Sequence, residues 1–386
     1  MTPFLAYGRQ TIEDDDIAAV AQALRGDFLT TGPTVAAFET AFAEKVGAVH
    51  AVACSNGTAA LHLAMMALGV GEGDLCVAPS ITFLATANCA RYVGAEVVFA
   101  DVDPLSGLMT PETLADALER AGRPVRAVLP VHLRGELCDL PALAELAQGA
   151  GGVLVEDAPH ALGSKRLFGN QESQAGDCRY SAMATFSFHP VKTIATGEGG
   201  MITTNDAATA ERLRTARSHG MVRPAGADPW VYEMPQPGYN YRLPDILCAL
   251  GLSQLAKLDR FVAQRRKLAA RYAERLAPLA PLVTLATTAE GSDPALHLLT
   301  VLIDFGKAGV TRRGLVDALA AQGIGTQVHY IPVHTQPYYR QRYGKLDLPG
   351  AAAWYERCLT LPLYPAMTEA DVDRVVDTLE AMLGAR

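Results

Sequence analysis

None of the seven cysteines (Cys54, Cys76, Cys89, Cys138, Cys178, Cys248 and Cys358) stands in a C-x-x-C pair. Their number is odd and their spacing scattered, which argues against a disulfide framework and against a zinc or other metal site. They read as small buried hydrophobes in a reducing compartment. No basic-then-apolar leader opens the chain, and no uninterrupted apolar run is long enough to span a bilayer. A cytoplasmic protein without a membrane partner is expected. Positive charge is not in excess either. The net charge of −8 argues against nucleic acid as a partner, while leaving room for a locally basic pocket. Internal repeats, low-complexity tracts and flexible linkers are absent as well.

What is present is an ordinary globular composition, 49% hydrophobic and 19% charged over 386 residues. A chain of this length buries a full core without cross-links. Residues 11–25 read as a helix, with a capping box from Thr11 to Asp14 and Ile17, Val20 and Leu24 on one face. From about residue 50 to 205, short apolar runs alternate with helical patterns. The strands expected are 76–79, 96–101, 126–131, 153–156, 183–186 and 201–204. Their apolar residues are consecutive, which suits strands buried on both faces of a mostly parallel sheet. After Pro244 the texture changes. A long helix over 245–276 is followed by strand-like 297–305, a helix over 311–322 and strand-like 325–331. A last helix starts at Thr368, with a capping box to Asp371. The expected fold is α/β. A large domain (1–245) holds the central sheet, and a connecting helix with a smaller α+β domain fills 246–386. Ligand residues belong at the strand ends.

Three segments carry candidate chemistry. In A-T-F-S-F-H-P-V-K-T-I-A-T-G-E-G-G (184–200), Lys192 follows an apolar strand and enters a glycine-rich turn. A lone loop lysine is usually a solvated surface group. Held near a sheet edge, its amine would have a lowered pKa and be available for Schiff-base chemistry. In V-L-V-E-D-A-P-H-A-L-G (153–163), Asp157 ends a strand. It reads either as a helix N-cap or as the carboxylate that a pyridine nitrogen needs to stay protonated. In C-S-N-G-T-A-A-L-H-L (54–63), small polar residues run straight into a helix. Gly57 and Thr58 there could seat an anion on free backbone N–H groups, or form no more than a turn and cap.

Taken in order, S-N-G-T-A-A-L, P-S-I-T-F, E-D-A-P-H-A-L-G, S-F-H-P-V-K, G-E-G-G and G-Y-N-Y-R-L-P-D resemble the DegT/DnrJ/EryC1/StrS sugar aminotransferases, from about residue 29 to the C-terminus. The resemblance implies an aspartate-aminotransferase-like fold of type I and pyridoxal 5′-phosphate as cofactor. It puts the internal aldimine on Lys192, with a pyridoxamine phosphate form during turnover. It pairs Asp157 with the ring nitrogen, stacks Phe83 on the ring, and gives the phosphate to Gly57, Thr58 and Ser187. His160 falls near the ring hydroxyl, where many relatives carry glutamine. Asn240 would reach the cofactor phosphate of a neighbouring subunit in a homodimer. Thr31, Phe83, His329, Tyr330, His334 and Arg242 would border the substrate. Without the resemblance, Phe83 reads as core, His329 as a structural histidine and Ser187 as a backbone-bonding hydroxyl. His62, His132 and His219 have no assignable role.

Within that family, H-P-V-K-T-I-A-T-G-E-G-G and Q-V-H-Y-I-P-V-H-T-Q-P-Y-Y are similar to transaminases of pseudaminic acid biosynthesis. The expected reaction is therefore transfer of an amino group from L-glutamate to C4 of a UDP-linked 4-keto-6-deoxy-N-acetyl-hexosamine. Some relatives are sugar dehydratases with histidine in place of the lysine; Lys192 is intact. Other acceptors, such as the GDP-perosamine precursor or a keto-pentose, are alternatives within the family. A non-catalytic regulator or assembly protein is the alternative from another class.

Overall fold

Strands with no polar alternation must be covered on both sides, and the chain folds to do that. The computed structural model describes residues 4–384. Two helices, α1 (Asp14–Leu24) and α2 (Pro33–Val46), precede the main layer. Strands and helices then alternate: β1 (His50–Cys54), α3 (Gly57–Ala67), β2 (Leu75–Pro79), α4 (Leu84–Tyr92), β3 (Glu96–Ala100), α5 (Pro111–Ala121), β4 (Ala127–Val128), α6 (Leu140–Gly149) and β5 (Val153–Asp157). A hairpin of β6 (Lys165–Phe168) and β7 (Gln171–Gln174) leads to β8 (Met183–Ser187), β9 (Gly200–Thr204) and α7 (Ala207–Arg217). The sheet runs β1-β9-β8-β5-β4-β2-β3. Its neighbours are parallel from β8 through β3, and β9 is antiparallel to both β8 and β1.

Helices α8 (Asp245–Leu255) and α9 (Leu258–Leu276) lead to a second layer. The chain from there runs through β10 (Val283–Leu285), β11 (Ser292–Asp293, which pairs with β6 of the hairpin), β12 (Leu299–Ile303), α10 (Phe305–Ala308), α11 (Arg312–Ala321), α12 (Pro337–Tyr343) and α13 (Pro349–Arg357), both packed on the first core, β13 (Cys358–Leu361) and α14 (Glu369–Leu383). Strands β10, β12 and β13 form an antiparallel sheet under α9 and α14. They have an apolar cluster of their own around Tyr272, Val301 and Leu379. All seven cysteines are free and buried. No helix among the described residues is long and apolar enough to cross a membrane.

Four expectations need correction. The strand at 126–131 shrinks to Ala127–Val128 and an isolated bridge from Val131 to Asp157, because Pro130 has no N–H to give the ladder. The helix at 245–276 breaks at Lys257, whose ammonium is drawn to Asp15 (2.5 Å) and Asp16 (2.7 Å) of α1. The capping box of α1 is Glu13 with Asp16, not Thr11 with Asp14; the Thr11 carbonyl accepts from Gln254 Nε2 instead. Asp16 is the residue that α1 buries, while Ile17 and Leu24 stay exposed on this chain. Residues 325–331 form no strand. Only Gln327 exchanges backbone bonds with Thr360, after which the chain turns inward and Trp354 Nε1 caps the His329 carbonyl at 2.9 Å.

Helix α2 closes on α8 because Gly251 leaves room for a ring: a Cβ there would lie 2.6 Å from Phe38 Cζ. Phe38 also meets Phe42 and Phe188 under the loop that follows β8. Truncating it leaves a cavity at a crowded site. Phe38→Ala should destabilise the protein by roughly 3–5 kcal/mol in urea unfolding, against under about 0.5 kcal/mol for the exposed Val49→Ala. Equal losses would mean that this packing is not what holds α2 in place.

Candidate active site

Parallel strands end on one side of the sheet, and the loops beyond those ends enclose a cavity of about 940 Å³. Three parts of its wall come from the segments singled out in the sequence. Asp157 is the last residue of β5, beside Thr185 of β8. Lys192 lies five residues past the end of β8, in a loop closed by Phe188 N–H on Gly199 O (2.8 Å) and Thr196 N–H on Phe188 O (2.9 Å). Gly57 and Thr58 open α3, where Asn56 Oδ1 accepts from Ala59 N–H at 2.8 Å.

The first N–H groups of α3 have no acceptor within the helix and carry its positive end, so they suit an anion. Gly57 is required there: a Cβ would sit 2.8 Å from Ser187 Cβ and fill the cradle. Ser187 lines the same wall. At the other end lies Asp157, almost fully buried. Burial raises its pKa; the Thr86 hydroxyl, Lys192 and His132 pull it back down. The Thr86 hydroxyl donates to Asp157 Oδ2. Burial pushes the Lys192 amine down to about 8, against the opposing pull of Asp157. No hydrogen bond or ion pair engages Lys192 Nζ among the described residues.

Three histidines and a tyrosine complete the inner wall. His160, His297 and His329 are buried and line the cavity. Burial, and then the Lys192 charge, press all three below the ordinary imidazole range, His329 to about 3. They are neutral at pH 7. The Arg134 N–H points at His160 Nδ1 (3.3 Å), which places the ring proton on Nε2, facing the Tyr330 hydroxyl at 3.3 Å. His329 Nδ1 meets Thr360 Oγ1 at 2.8 Å.

The structure brings Lys192, Asp157, Gly57, Thr58, Ser187, His160, Phe83, His329 and Tyr330 into this one cavity. Phe83 stands at its mouth and is 58% exposed, so it is not core. Thr31, Asn240, Arg242 and His334 do not line it. Thr31 and Asn240 are exposed, and the Nε of Arg242 is sealed without a partner. His334 is tied to Ser80 Oγ (2.5 Å) and packs on Phe99, which turns it into the core. His132 is buried against Glu156 at 2.9 Å.

Sequence reading missed Tyr7, Thr82, Thr86, Tyr241, His297 and Gln336. For Thr86 a signal existed: in T-F-L-A-T it follows Phe83 by three residues, which is one helical turn. The others reach the cavity only through tertiary folding.

The chain matches the model of the DegT/DnrJ/EryC1/StrS aminotransferase family over residues 10–380. It is 39% identical over 387 aligned positions to the spore coat polysaccharide biosynthesis protein SpsC of Bacillus subtilis (strain 168), covering 97% of this chain and 96% of SpsC. Among solved structures it resembles Helicobacter pylori PseC, an aminotransferase involved in the biosynthesis of pseudoaminic acid. That likeness has a TM-score of 0.90 at 27% identity and covers 99% of this chain and 100% of PseC. It also resembles the PLP-form of the sugar aminotransferase Spr1654 of Streptococcus pneumoniae, with a TM-score of 0.88 at 25% identity and 99% of each chain covered.

The residues present fit pyridoxal phosphate. An anion cradle that a single Cβ would fill, a buried carboxylate and an unengaged amine face one space of sufficient size. The lowered Lys192 pKa has a measurable consequence. Below about pH 8 most of the amine is protonated, and above it most is free to attack a carbonyl. Covalent capture of pyridoxal phosphate by the apo-protein, followed by stopped-flow absorbance, should speed up with pH, pass half its maximum near pH 8 and level off above that. A rate still rising at pH 10 would mean an ordinary surface-type lysine.

Proposed function

The chain belongs to the DegT/DnrJ/EryC1/StrS family of pyridoxal-phosphate-dependent sugar aminotransferases, and from that premise we propose that it moves an amino group from L-glutamate to C4 of a UDP-linked 4-keto-6-deoxy-N-acetyl-hexosamine. The observation that carries the choice of sugar is the segment Q-V-H-Y-I-P-V-H-T-Q-P-Y-Y (327–339). It resembles the corresponding segment of pseudaminic acid transaminases, and it contributes Gln327, His329, Tyr330 and Gln336 to the cavity wall. The similarity to PseC supports the same reading. A second reading, another nucleotide keto-sugar, is favoured by the 39% identity to SpsC, which is described as a protein of spore coat polysaccharide biosynthesis.

When bound, pyridoxal phosphate supplies the electron sink that lets the donor's Cα–H bond break. The chain's own residues do the rest. Gly57, Thr58 and Ser187 hold the phosphate. The Asp157 carboxylate holds a proton on the ring nitrogen. Lys192 Nζ takes the donor Cα proton as general base and gives it back as general acid, a role suited to an amine whose pKa lies near operating pH. The neutral His160, His297 and His329 do not compete for that proton. His160 Nε2–H and the Tyr330 hydroxyl sit where they can bond ring or substrate oxygens without adding charge.

Asn240 lies on the outer surface, antiparallel to Ser218. Around it Met221, Trp230, Tyr232, Met234 and Tyr239 are exposed, as are Ile17, Leu24, Phe28 and Leu29 on the N-terminal segment. Apolar exposure on this scale marks a contact surface. A homodimer that covers it, with Asn240 completing the neighbour's phosphate site, accounts for both features.

A panel of nucleotide keto-sugars incubated with glutamate tests the substrate, with products identified by mass and NMR. Amination at C4 of the UDP-linked N-acetylated 4-keto-6-deoxy sugar is expected; turnover confined to a GDP- or dTDP-linked sugar would replace this reading with the second. Co-expression of Asn240→Ala and Lys192→Ala subunits tests the shared site. Activity clearly above that of either variant alone is expected, and none would place Asn240 outside the site.

A further inference from the structure

Asp157 is the most deeply placed charge in the cavity, and something must keep it ionised. The described groups that act on it electrostatically are Lys192 from the loop after β8 and His132 beyond β4. It acts in turn on the Tyr330 phenol and on the Cys89 thiol of α4. One group touches it by a side-chain hydrogen bond, the Thr86 hydroxyl in the first turn of α4. Thr86 Oγ1 lies 2.6 Å from Thr82 Oγ1. Thr82 and Thr86 are buried at 2% and 0% exposure, and both line the cavity.

The direction of this chain of hydroxyls follows from chemistry alone. An ionised carboxylate only accepts, so the single Thr86 proton goes to Asp157 Oδ2. Thr86 then has only lone pairs to offer Thr82, and Thr82 must be the donor. Two hydroxyl dipoles thus point along one line at the carboxylate. In a low-dielectric interior such aligned donors reinforce one another, and a hydrogen bond to a charged acceptor is among the stronger kinds.

We propose that Thr86, backed by Thr82, is a positioning residue for the reaction: the two-hydroxyl relay fixes Asp157 Oδ2 and stabilises its charge, so that the proton shared with the cofactor's ring nitrogen stays on nitrogen. Without the relay the carboxylate becomes the more basic partner. The proton moves from nitrogen to Asp157 and the ring withdraws electrons less strongly. Neither threonine reaches the reacting atoms; both act through Asp157. The proposal rests on Asp157 facing the ring nitrogen.

The test uses holoenzyme loaded with ring-15N-labelled pyridoxal phosphate, read by NMR alongside steady-state kinetics. Thr86→Val keeps the shape and removes the donor. Its 15N resonance should move toward the unprotonated position, kcat should fall about ten- to a hundredfold, and KM for glutamate should stay within about twofold. Thr86→Ser, which keeps the hydroxyl, should restore the wild-type resonance. Thr82→Val should shift the resonance the same way by less, and it carries the test if Thr86→Val does not fold. A wild-type 15N position in the valine variants overturns the relay. Asp157→Asn separates the two levels: if it too leaves the resonance unmoved, the placement of Asp157 against the ring nitrogen fails first.

Discussion

A carboxylate that must stay charged while nearly out of water is the constraint on which the rest of the site depends. Burial alone favours the protonated form of Asp157, and a neutral acid could not keep a proton on a pyridine nitrogen. The fold opposes this from several directions. The Thr86 hydroxyl donates to the carboxylate from α4, and the Lys192 and His132 charges act on it from loops after β8 and β4. The same burial works on Lys192 with the opposite sign, lowering the ammonium pKa toward neutrality. One dry space thus gives the carboxylate and the amine the properties they need, and their mutual attraction moderates both.

The architecture explains why these groups meet. Parallel strands β5 and β8 end side by side, so a residue at the tip of one and a loop leaving the other share a mouth. Helix α3 brings its first residues, Gly57 and Thr58, to that mouth from the far side, close against Ser187 because residue 57 has no side chain. The inner wall is then lined with the neutral imidazoles of His160, His297 and His329 and the Tyr330 phenol. An added positive charge would stabilise the free amine against protonation but would also compete with Lys192 for Asp157. Hydrogen-bonding groups without charge avoid that competition, which suits a substrate rich in hydroxyls.

Much of this was legible in the sequence, for local reasons. Asp157 stands at a strand end, Gly57 at a helix start and Lys192 in the loop that leaves β8, and such junctions are written in neighbouring residues. The buried parallel strands could be read from their unbroken apolar runs. What escaped was whatever depends on distant segments. His297 sits at the edge of β12, 137 positions from His160 in sequence, and its ring packs 4.5 Å from that of His160. The Thr82–Thr86 pair acts on Asp157 across a sheet edge, which no spacing rule encodes. Residues 325–331 have strand-like composition, yet their inward turn is set by Trp354 and Thr360 far along the chain. His334 shares a motif with His329 but faces the core. The apolar face read for α1 is not a buried stripe: Ile17 and Leu24 are exposed, and the residue that α1 buries is Asp16.

Borohydride reduction of the purified holoenzyme, followed by peptide mass mapping, tests the central claim most directly, because it marks the lysine that carries the cofactor. A pyridoxyl group on the peptide containing Lys192, and on no other lysine, is the expected result. A mark on a different lysine, or no mark on protein that retains its cofactor, would contradict the assignment of Lys192 and with it the reading of the cavity.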